Sequence, residues 1–492
     1  MKFRILLVVC ASLFTLSTVV AFQQGAPGGV RSELPGDPDI SFGDQGAANI
    51  IQLSGKILAL AVDSQGRIVV GGFSISGGKK RAMVGRFTPA GTLDGSFGIG
   101  AGKFSINFRD NVDEEIFSLA LDNAGNIIAG GYTTFADGSQ QIALTRIKPD
   151  GQLDATFGNR GKQLVQFLVR DQWVAKKILV GGDGKILIAG YKIKADGNRD
   201  IFLGRLSANG TVDATFGLGN AGYVEVDIAA SSDEHIDAMG LASDGTLFVG
   251  GAATLNGKFK RLIGSFTADG KIHEFRIEEP ASDNQGVITD LKIDSSGKIV
   301  VCGSVGAFPN LGFMVARYNP DKSPDDSFGD HGRTVTDLAD GNDKANTLFF
   351  DSDNKIILGG YAEKKVGNVS EKQLALVRYN ADGNLDESFG DHGKVITDAV
   401  NSSQEEIAAV AVTGNNQVVS GGFVGSNQEN AFFLAEYLGS AAKADVAVAP
   451  NNGGGGNGPN AANLAAPAGG GAGAGAAPAG GKGGGCSLMI PK

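Results

Sequence analysis

Leu376-Val-Arg-Tyr-Asn-Ala-Asp-Gly-Asn-Leu-Asp-Glu-Ser-Phe-Gly-Asp-His-Gly393 is the stretch that decides the fold. It begins as an apolar strand carrying one arginine, Arg378, breaks at Ala-Asp-Gly (381–383) and ends in Ser-Phe-Gly (388–390). Ala-Asp-Gly is turn chemistry: the aspartate bonds the backbone beyond it, and glycine accepts a left-handed backbone. Working outward, Ser- or Thr-Phe-Gly recurs with Phe at 42, 97, 157, 216, 328 and 389, and a degenerate copy sits at Phe275. Successive phenylalanines are 55, 60, 59, 59, 53 and 61 residues apart. A second marker runs in phase, an apolar strand ending in a small pair: Gly71-Gly72, Gly130-Gly131, Ala189-Gly190, Gly250-Gly251, Cys302-Gly303, Gly359-Gly360 and Gly421-Gly422. Two markers in step give seven repeats.

Each repeat holds four strand-like runs. In the last they are Lys394–Asp398, Glu406–Val412, Gln417–Phe423 and Ala431–Leu438. The second and third runs are nearly continuous in Ala, Val, Ile and Leu, as in strands covered on both faces. Their connection carries Gly66, Gly125, Gly184, Gly245, Gly297, Asn354 or Asn416 at a fixed offset, which marks a tight hairpin. No run has the period of an amphipathic helix. The fold predicted is all-β, a seven-bladed β-propeller of four-stranded antiparallel blades. A β-helix needs shorter repeats, and an open solenoid needs capping units that are not seen. Closing the ring brings Ser41 and Leu438 together and removes exposed sheet edges.

The Gly-Gly strand followed by 376–393 resembles the delta-60 repeat, and the resemblance covers about 39–438. It implies an exported bacterial protein and a β-propeller. It implies no activity, and the copy around Phe275 departs from the pattern.

The ends differ from the repeats. Lys2 and Arg4 precede an apolar run, Ile5–Val20, and Val19 and Ala21 put small residues before a cut ahead of Phe22. This reads as a signal peptide over 1–21, with a leader over 22–38; a retained anchor is the other reading, but the run is shorter than a bilayer span. From 439 to 492 the chain turns to Ala, Gly, Asn and Pro, a composition that buries no core and predicts a disordered Gly/Ala-rich tail. Glycine is not abundant only there, since 15 of the 76 lie in 451–485. The Gly-Gly-Gly-Cys486-Ser end resembles the start of bacterial sorting tails that carry a cysteine, which makes Cys486 a candidate attachment point to the cell surface. Such tails continue into an apolar helix and a basic end, so a thiol used for intermolecular linkage is the other reading. Of three cysteines, Cys10 leaves with the signal, and Cys302 and Cys486 give no disulfide framework. A net charge of −10 argues against nucleic-acid partners.

The repeats compare residues directly. Arg86, Arg146, Arg205, Arg317 and Arg378 are each followed eight residues later by Asp94, Asp154, Asp213, Asp325 and Asp386. The copy with Ser265 in the arginine position has His273 in the aspartate position, so the two are lost together. This predicts an Arg–Asp pair bracing each blade. The last repeat breaks the rule, with Glu436 and Asp39 in those positions. Cys302 occupies a small-residue position and reads as packing. His331 and His392, in equivalent Gly-Asp-His-Gly turns, fall on neighbouring blades and read as exposed turn residues. No metal or other cofactor is implied; the Asp-rich turns at Asp351, Asp353 and Asn354 and at Asp382 and Asp386 offer oxygen ligands that calcium would accept, without an EF-hand pattern. No phosphate loop, zinc-protease motif or nucleophile elbow is present, and no catalytic residue is assigned.

The most variable segments are Ser74–Arg81, Thr133–Gln140, Lys192–Arg199, Ala253–Lys260, Val305–Asn310, Glu363–Lys372 and Val424–Glu429. All follow the Gly-Gly marker and so lie on one side of the disc, where repeat proteins build binding surfaces. The expected function is an exported, non-catalytic scaffold of the cell envelope, periplasm or extracellular space that engages a protein or glycan through these loops, its ligand-binding residues undefined. The alternative is a polymer-active hydrolase or lyase with acidic residues at the channel mouth.

Overall fold

A computed structural model describes residues 34–43, 47, 54–98, 100–167, 172–228, 232–278, 285–367, 369–399, 402–425 and 430–439, and the backbone of 3–8 and 19–22. The disordered-tail reading and Cys486 lie outside the described residues.

Seven antiparallel sheets follow one another along the chain. Blade 1 runs from Gly55 to Ile106, blade 2 from Glu114 to Val165, blade 3 from Gln172 to Val226, blade 4 from Glu234 to Glu278, blade 5 from Gln285 to Thr336 and blade 6 from Lys344 to Ala399. Each has four strands, innermost first in sequence. Blade 7 contributes three of its own, Gln404–Val412, Val418–Gly425 and Asn430–Tyr437. Its outer position is taken by the other end of the ring: Pro38, Ala47 and Ser54 bridge to Tyr437, Ala435 and Ala431. The closing contact begins at Leu34–Asp37, where Gly36 N donates to Leu438 O at 2.7 Å. Phe3–Val8 and Val19–Phe22 pair with each other, and the first lies parallel to Lys394–Ala399 at the outer edge of blade 6. No helix among the described residues is long and apolar enough to cross a membrane.

The repeat and the blade are out of phase by one strand. Lys394–Ala399, expected to open the seventh unit, is the outer strand of blade 6, paired with Val369–Tyr379. The reason is the loop that carries Ser-Phe-Gly. It folds back beneath its own third strand, so the next strand pairs within the same blade. The variable segments therefore join second to third strands.

The small pair after each second strand has a steric cause. Every innermost strand carries a β-bulge, between Ile57 and Ala59, Ile116 and Ser118, Ala175 and Lys177, Ile236 and Ala238, Ile288 and Asp290, Ala345 and Thr347, and Ile407 and Ala409. The bulge pushes a carbonyl toward the second strand. A Cβ on Gly72, Gly131, Gly190, Gly251, Gly303, Gly360 or Gly422 would stand 1.9–2.0 Å from that oxygen. The first residue of each pair meets the next blade's side chains instead, as Gly71 does with Ile116 at 3.0 Å, and there Ala189 and Cys302 fit.

Blade contacts are finished by the Ser/Thr-Phe-Gly loops. Phe97, Phe157, Phe216, Phe328 and Phe389 are fully buried. The glycine after each of the first four donates to the following repeat, for example Gly98 N to Asp150 O at 2.9 Å and Gly158 N to Asn209 O at 2.8 Å, and Gly390 N donates to Pro35 O of the closing segment at 2.7 Å. The turn glycines Gly151, Gly210, Gly270 and Gly383 lie flat on these rings, with φ of 83–87° and space for a Cβ only 2.7–2.8 Å from ring carbons of Phe97, Phe157, Phe216 and Phe328. Burying such a phenylalanine is worth about 2–3 kcal/mol, so the turn motif and the phenylalanine are two halves of one interface.

Gly72→Ala is expected to prevent or severely destabilise folding, since its neighbour is backbone that cannot yield, whereas Gly71→Ala is expected to cost little. Melting temperatures of the two variants check this; equal values would refute the steric account.

Candidate functional site

The ring has two faces of different character. On the face of the third-to-fourth-strand loops, all five predicted Arg–Asp pairs form, with Nε to Oδ2 distances of 2.6–2.8 Å. Each arginine does more than pair. Its guanidinium lies over the ring of the following phenylalanine, 4.4–5.1 Å from the centroid. Its Nη1 donates across the blade seam, to the carbonyls of Pro149, Ala208, Ala268 and Ala381 at 2.5–2.6 Å and to that of Gly439. The other aspartate oxygen accepts from a Ser or Thr two residues on, as Asp94 Oδ1 does from Ser96 N and Oγ. In blades 3, 5 and 6 a lysine after the first hairpin turn, Lys185, Lys298 or Lys355, also reaches the aspartate at 2.6–2.9 Å. Burial opposes ionisation of these aspartates, but the hydroxyl, lysine and arginine partners outweigh it and hold Asp94, Asp154, Asp213, Asp325 and Asp386 below the usual carboxylate range.

The degenerate fourth copy solves the same problem with other residues. Without the loop phenylalanine, Ile272–Glu278 runs as a continuous outer strand of seven residues, and Phe275 packs edge-on to Phe266. The vacated seam is filled from blade 5. Lys322, at a turn position with φ of 65°, is buried and donates to Ser265 Oγ at 3.2 Å, with Glu274 at 3.0 Å. Arg276 Nη1 donates to Lys322 O at 2.9 Å.

The other sequence candidates stay apart. Cys302 is buried beside Thr289, and burial pushes its thiol far up. His331 and His392 are exposed, on adjacent blades, with only turn acids near them. Asp351 caps its own turn through the amides of Asp353 and Lys355, both at 2.9 Å. One acidic group the motifs did not flag, Asp200, Asp227 and Glu234, has carboxylate oxygens within 4.8 Å of each other. Lys194 already stands among them, 2.5 Å from Asp200. It belongs to a repeated corner device: Glu114 takes the amides of Phe108 and Arg109, and Asp343 those of Leu338 and Glu363, at 2.7–3.0 Å. Burial pushes Asp343 up to about 6.

The opposite face carries the variable hairpins and the mouth of the central channel. Lys177 of blade 3 meets Asp290 of blade 5 at 2.7 Å. These blades are not neighbours, so the pair crosses the axis and plugs it. Asp290 also accepts from Leu348 N of blade 6 at 3.1 Å. The bulge residues of blades 2, 3, 4 and 6 are Phe117, Lys176, Asp237 and Asn346; Lys176 Nζ lies 3.9 Å from the Phe117 centroid and Asn346 Nδ2 donates to Glu406 at 2.8 Å. His235 Nε2 lies 3.3 Å from Asp237. Burial opposes the charge on Asp237, yet His235, Lys176 and Lys344 hold it well below the usual carboxylate range. Around them sits a ring that sequence reading missed. The residue after each Gly-Gly is Phe73, Tyr132, Tyr191, Ala252, Ser304, Tyr361 or Phe423, and cations lie over four of these rings. Lys56 is 3.4 Å from the Phe423 centroid, Lys372 3.9 Å from Tyr361, Lys80 4.9 Å from Phe73 and Arg199 5.1 Å from Tyr191. Tyr132 Oη and Lys80 Nζ both donate to Glu115 at 2.5 Å. The signal was in the repeat, an aromatic at one offset in five copies of seven, but without the bulge nothing placed it at the mouth.

Five of the hairpins outside this ring carry exposed apolar residues near their tips. Ile75, Phe135, Phe259, Phe308, Val366 and Val369 make up half of the exposed large hydrophobic residues among those described, with Phe308 at 68% and Val369 at 58% exposure. They come from five blades and share one face.

Against known proteins, four stretches of this chain, 125–157, 181–216, 295–328 and 352–389, match a family described as a domain of unknown function (DUF5122) β-propeller. Each match starts in the first hairpin turn and ends on the loop phenylalanine, so the chain carries repeats of a β-propeller family. No curated protein matches the chain. Among solved structures, it resembles an ulvan lyase bound to a GlcA–Rha3S chain, at 10% identity and a TM-score of 0.44 over 82% of this chain and 95% of that one. It also resembles an α-L-arabinanase of Penicillium chrysogenum (10%, 0.40, 85% and 100%) and Sqt1 of Chaetomium thermophilum (10%, 0.42, 78% and 97%). These likenesses bear on the fold alone.

The braces give a pH dependence with a definite sign. The folded-state pKa of each brace aspartate is depressed, so its stabilisation is present above about pH 3.9 and is lost as pH falls below that value. Arg378→Met removes one of the two cations that hold Asp386 down, the other being Lys355, raises the folded pKa of Asp386 and moves the acid-unfolding midpoint upward. Asp94→Ala leaves Arg86, 2% exposed, without its partner, and is expected to cost about 3–5 kcal/mol. Trp173, buried against Phe167, Phe202 and Tyr223, reports both by fluorescence; an unchanged midpoint and melting temperature would dismiss the bracing role.

Proposed function

We propose that this chain is an exported, non-catalytic propeller scaffold of the delta-60 type that binds an acidic glycan over the channel mouth. The observation that carries the reading is the crown of exposed apolar residues near the hairpin tips, above all Phe259 and Phe308. Large apolar side chains gathered on one face of a soluble domain mark an interaction surface, and flat aromatic faces suit the C–H faces of sugar rings. Charge narrows the ligand further. Within the crown, Lys56, Lys176 and Lys344 make no ion pair within 4 Å among the described residues, so the mouth offers cations to carboxylate, sulfate or phosphate groups in a protein whose net charge is −10. Export is supported by the basic-apolar leader at 1–21.

The channel acids favour binding over turnover. Asp237 is held ionised, and a general acid at neutral pH needs the opposite displacement. His235 and the tyrosines keep a polymer-cleaving enzyme as the second reading.

The test titrates purified protein with acidic oligosaccharides and neutral oligosaccharides of the same length, following binding by calorimetry and product by chromatography. Acidic chains are expected to bind, with affinity falling at high salt, and Lys176→Ala/Lys344→Ala and Phe259→Ala/Phe308→Ala are each expected to weaken binding about tenfold or more. Binding with cleavage would move the protein to the enzyme reading. No binding to any acidic chain, or a protein partner captured through the same face, would replace the glycan.

A further inference from the structure

Five blades share one brace, and the closing blade keeps every acceptor of that brace while losing the donor. In blades 1, 2, 3, 5 and 6 the guanidinium meets an aspartate, a hydroxyl two residues later and a carbonyl of the next blade, as Arg86 meets Asp94, Ser96 and Pro149. In blade 7 the equivalents of the acceptors are Asp39, Ser41 and the Pro89 carbonyl of blade 1. The equivalence is geometric. Asp39 N donates to Glu436 O as Asp94 N does to Arg86 O, both at 2.9 Å, and Gly43 N donates to Ala90 O as Gly98 N does to Asp150 O. Asp39 Oδ1 takes Ser41 N and Oγ at 2.9 and 2.6 Å, the arrangement of Asp94 with Ser96. The arginine position, opposite Val419 as Arg378 is opposite Ile357, holds Glu436.

Two carboxylates therefore face a site built for a cation. The lysine that adds charge in blades 3, 5 and 6 is here Gln417, whose Nε2 is 3.4 Å from Asp39 Oδ2. Glu436 is 6% exposed, and no hydrogen bond or ion pair engages its carboxylate among the described residues. A buried carboxylate in that state is costly unless a partner is supplied. Burial, with Asp39 alongside, pushes Glu436 up to about 7.

We propose that calcium, or a similarly hard divalent cation, fills the missing arginine's place, held by Asp39 and Glu436, with the Pro89 carbonyl in the position that the Pro149 carbonyl takes opposite Arg86. Every candidate donor is oxygen, the set that hard cations prefer, and water completes the coordination that calcium requires. Asp39 lies on the N-terminal closing segment and Glu436 on the last strand, so the ion ties the two ends of the ring together. This differs from the Asp-rich turns, whose oxygens already cap their own loops or pair with arginine and lysine.

The test is thermal unfolding of the full chain in calcium and in EGTA, with bound metal counted by equilibrium dialysis. At calcium about a hundredfold above its dissociation constant, the melting temperature is expected to rise by roughly 5 °C, with one ion bound per chain. Glu436→Gln is expected to lose both the ion and the rise. Glu436→Arg rebuilds the brace of the other blades and is expected to melt at or above the calcium-loaded protein, indifferent to calcium. Absence of bound calcium in the unmodified chain overturns the proposal, as does calcium retained by Glu436→Arg. Glycan binding at the far face is read separately, so either reading can fail alone.

Discussion

A carbonyl oxygen about 2 Å from where a Cβ would stand is the contact on which this propeller depends. The seven second glycines of the small pairs admit the bulge of the innermost strand. The bulge has two effects that no other feature supplies. It gives the inner strand extra twist where seven sheets converge, and it re-aims one side chain per blade out of the sheet and into the channel. Lys176 of blade 3 acts on Asp237 of blade 4 from these positions, Asn346 of blade 6 bonds Glu406 of blade 7, and the pair of Lys177 and Asp290 follows from the residue next to the bulge. Packing could be repaired by many substitutions, as Ala189 and Cys302 show at the first position of the pair. A backbone oxygen cannot move aside, so glycine alone is left at the second.

Between blades, the dominant problem is different: buried polar groups at each seam must be matched. The arginine does this with one side chain, satisfying its own blade's aspartate and the next blade's carbonyl together. The fourth seam shows that the requirement is electrostatic and geometric rather than specific to arginine. Lys322 crosses it in the opposite direction and supplies the charge that Ser265 gave up. The substitutions at 265, 273, 275 and 322 form one compensated set. The seventh seam is the exception: both acids stay, and among the described residues no lysine or arginine pairs with Glu436 or Asp39.

Much of this was legible in the residues because a repeat supplies its own comparison. The blade count, the closing of the ring and the Arg–Asp pairs all came from matching offsets, and covariation of Ser265 with His273 was enough to predict a contact. What the residues hid was pairing. A period of about sixty does not say where a blade begins, so the outer strand of blade 6 was assigned to blade 7. Nor does a period show which residues on different blades converge. The aromatic positions after Gly-Gly were visible as a column, yet only the bulge turns that column into a ring at the channel mouth. Lys322 was invisible for a related reason, since its role depends on an absence in the neighbouring repeat.

The two faces use their charged and apolar side chains differently. The brace face holds its charges on fixed partners, with aspartates bonded by hydroxyl and arginine and, in blades 3, 5 and 6, by lysine as well. The hairpin face differs. Several of its cations lie over aromatic rings, Lys80, Arg199 and Lys372 while also paired with a carboxylate and Lys56 without one within 4 Å among the described residues, and its largest exposed side chains are apolar. Such an arrangement is unfavourable for an isolated protein, since exposed phenylalanine and underpaired lysine both favour association. Drifting loops would be expected to lose these features independently, blade by blade. Their recurrence on hairpins of different length and sequence, from Ile75 in blade 1 to Val369 in blade 6, is the ground on which the proposed binding surface stands.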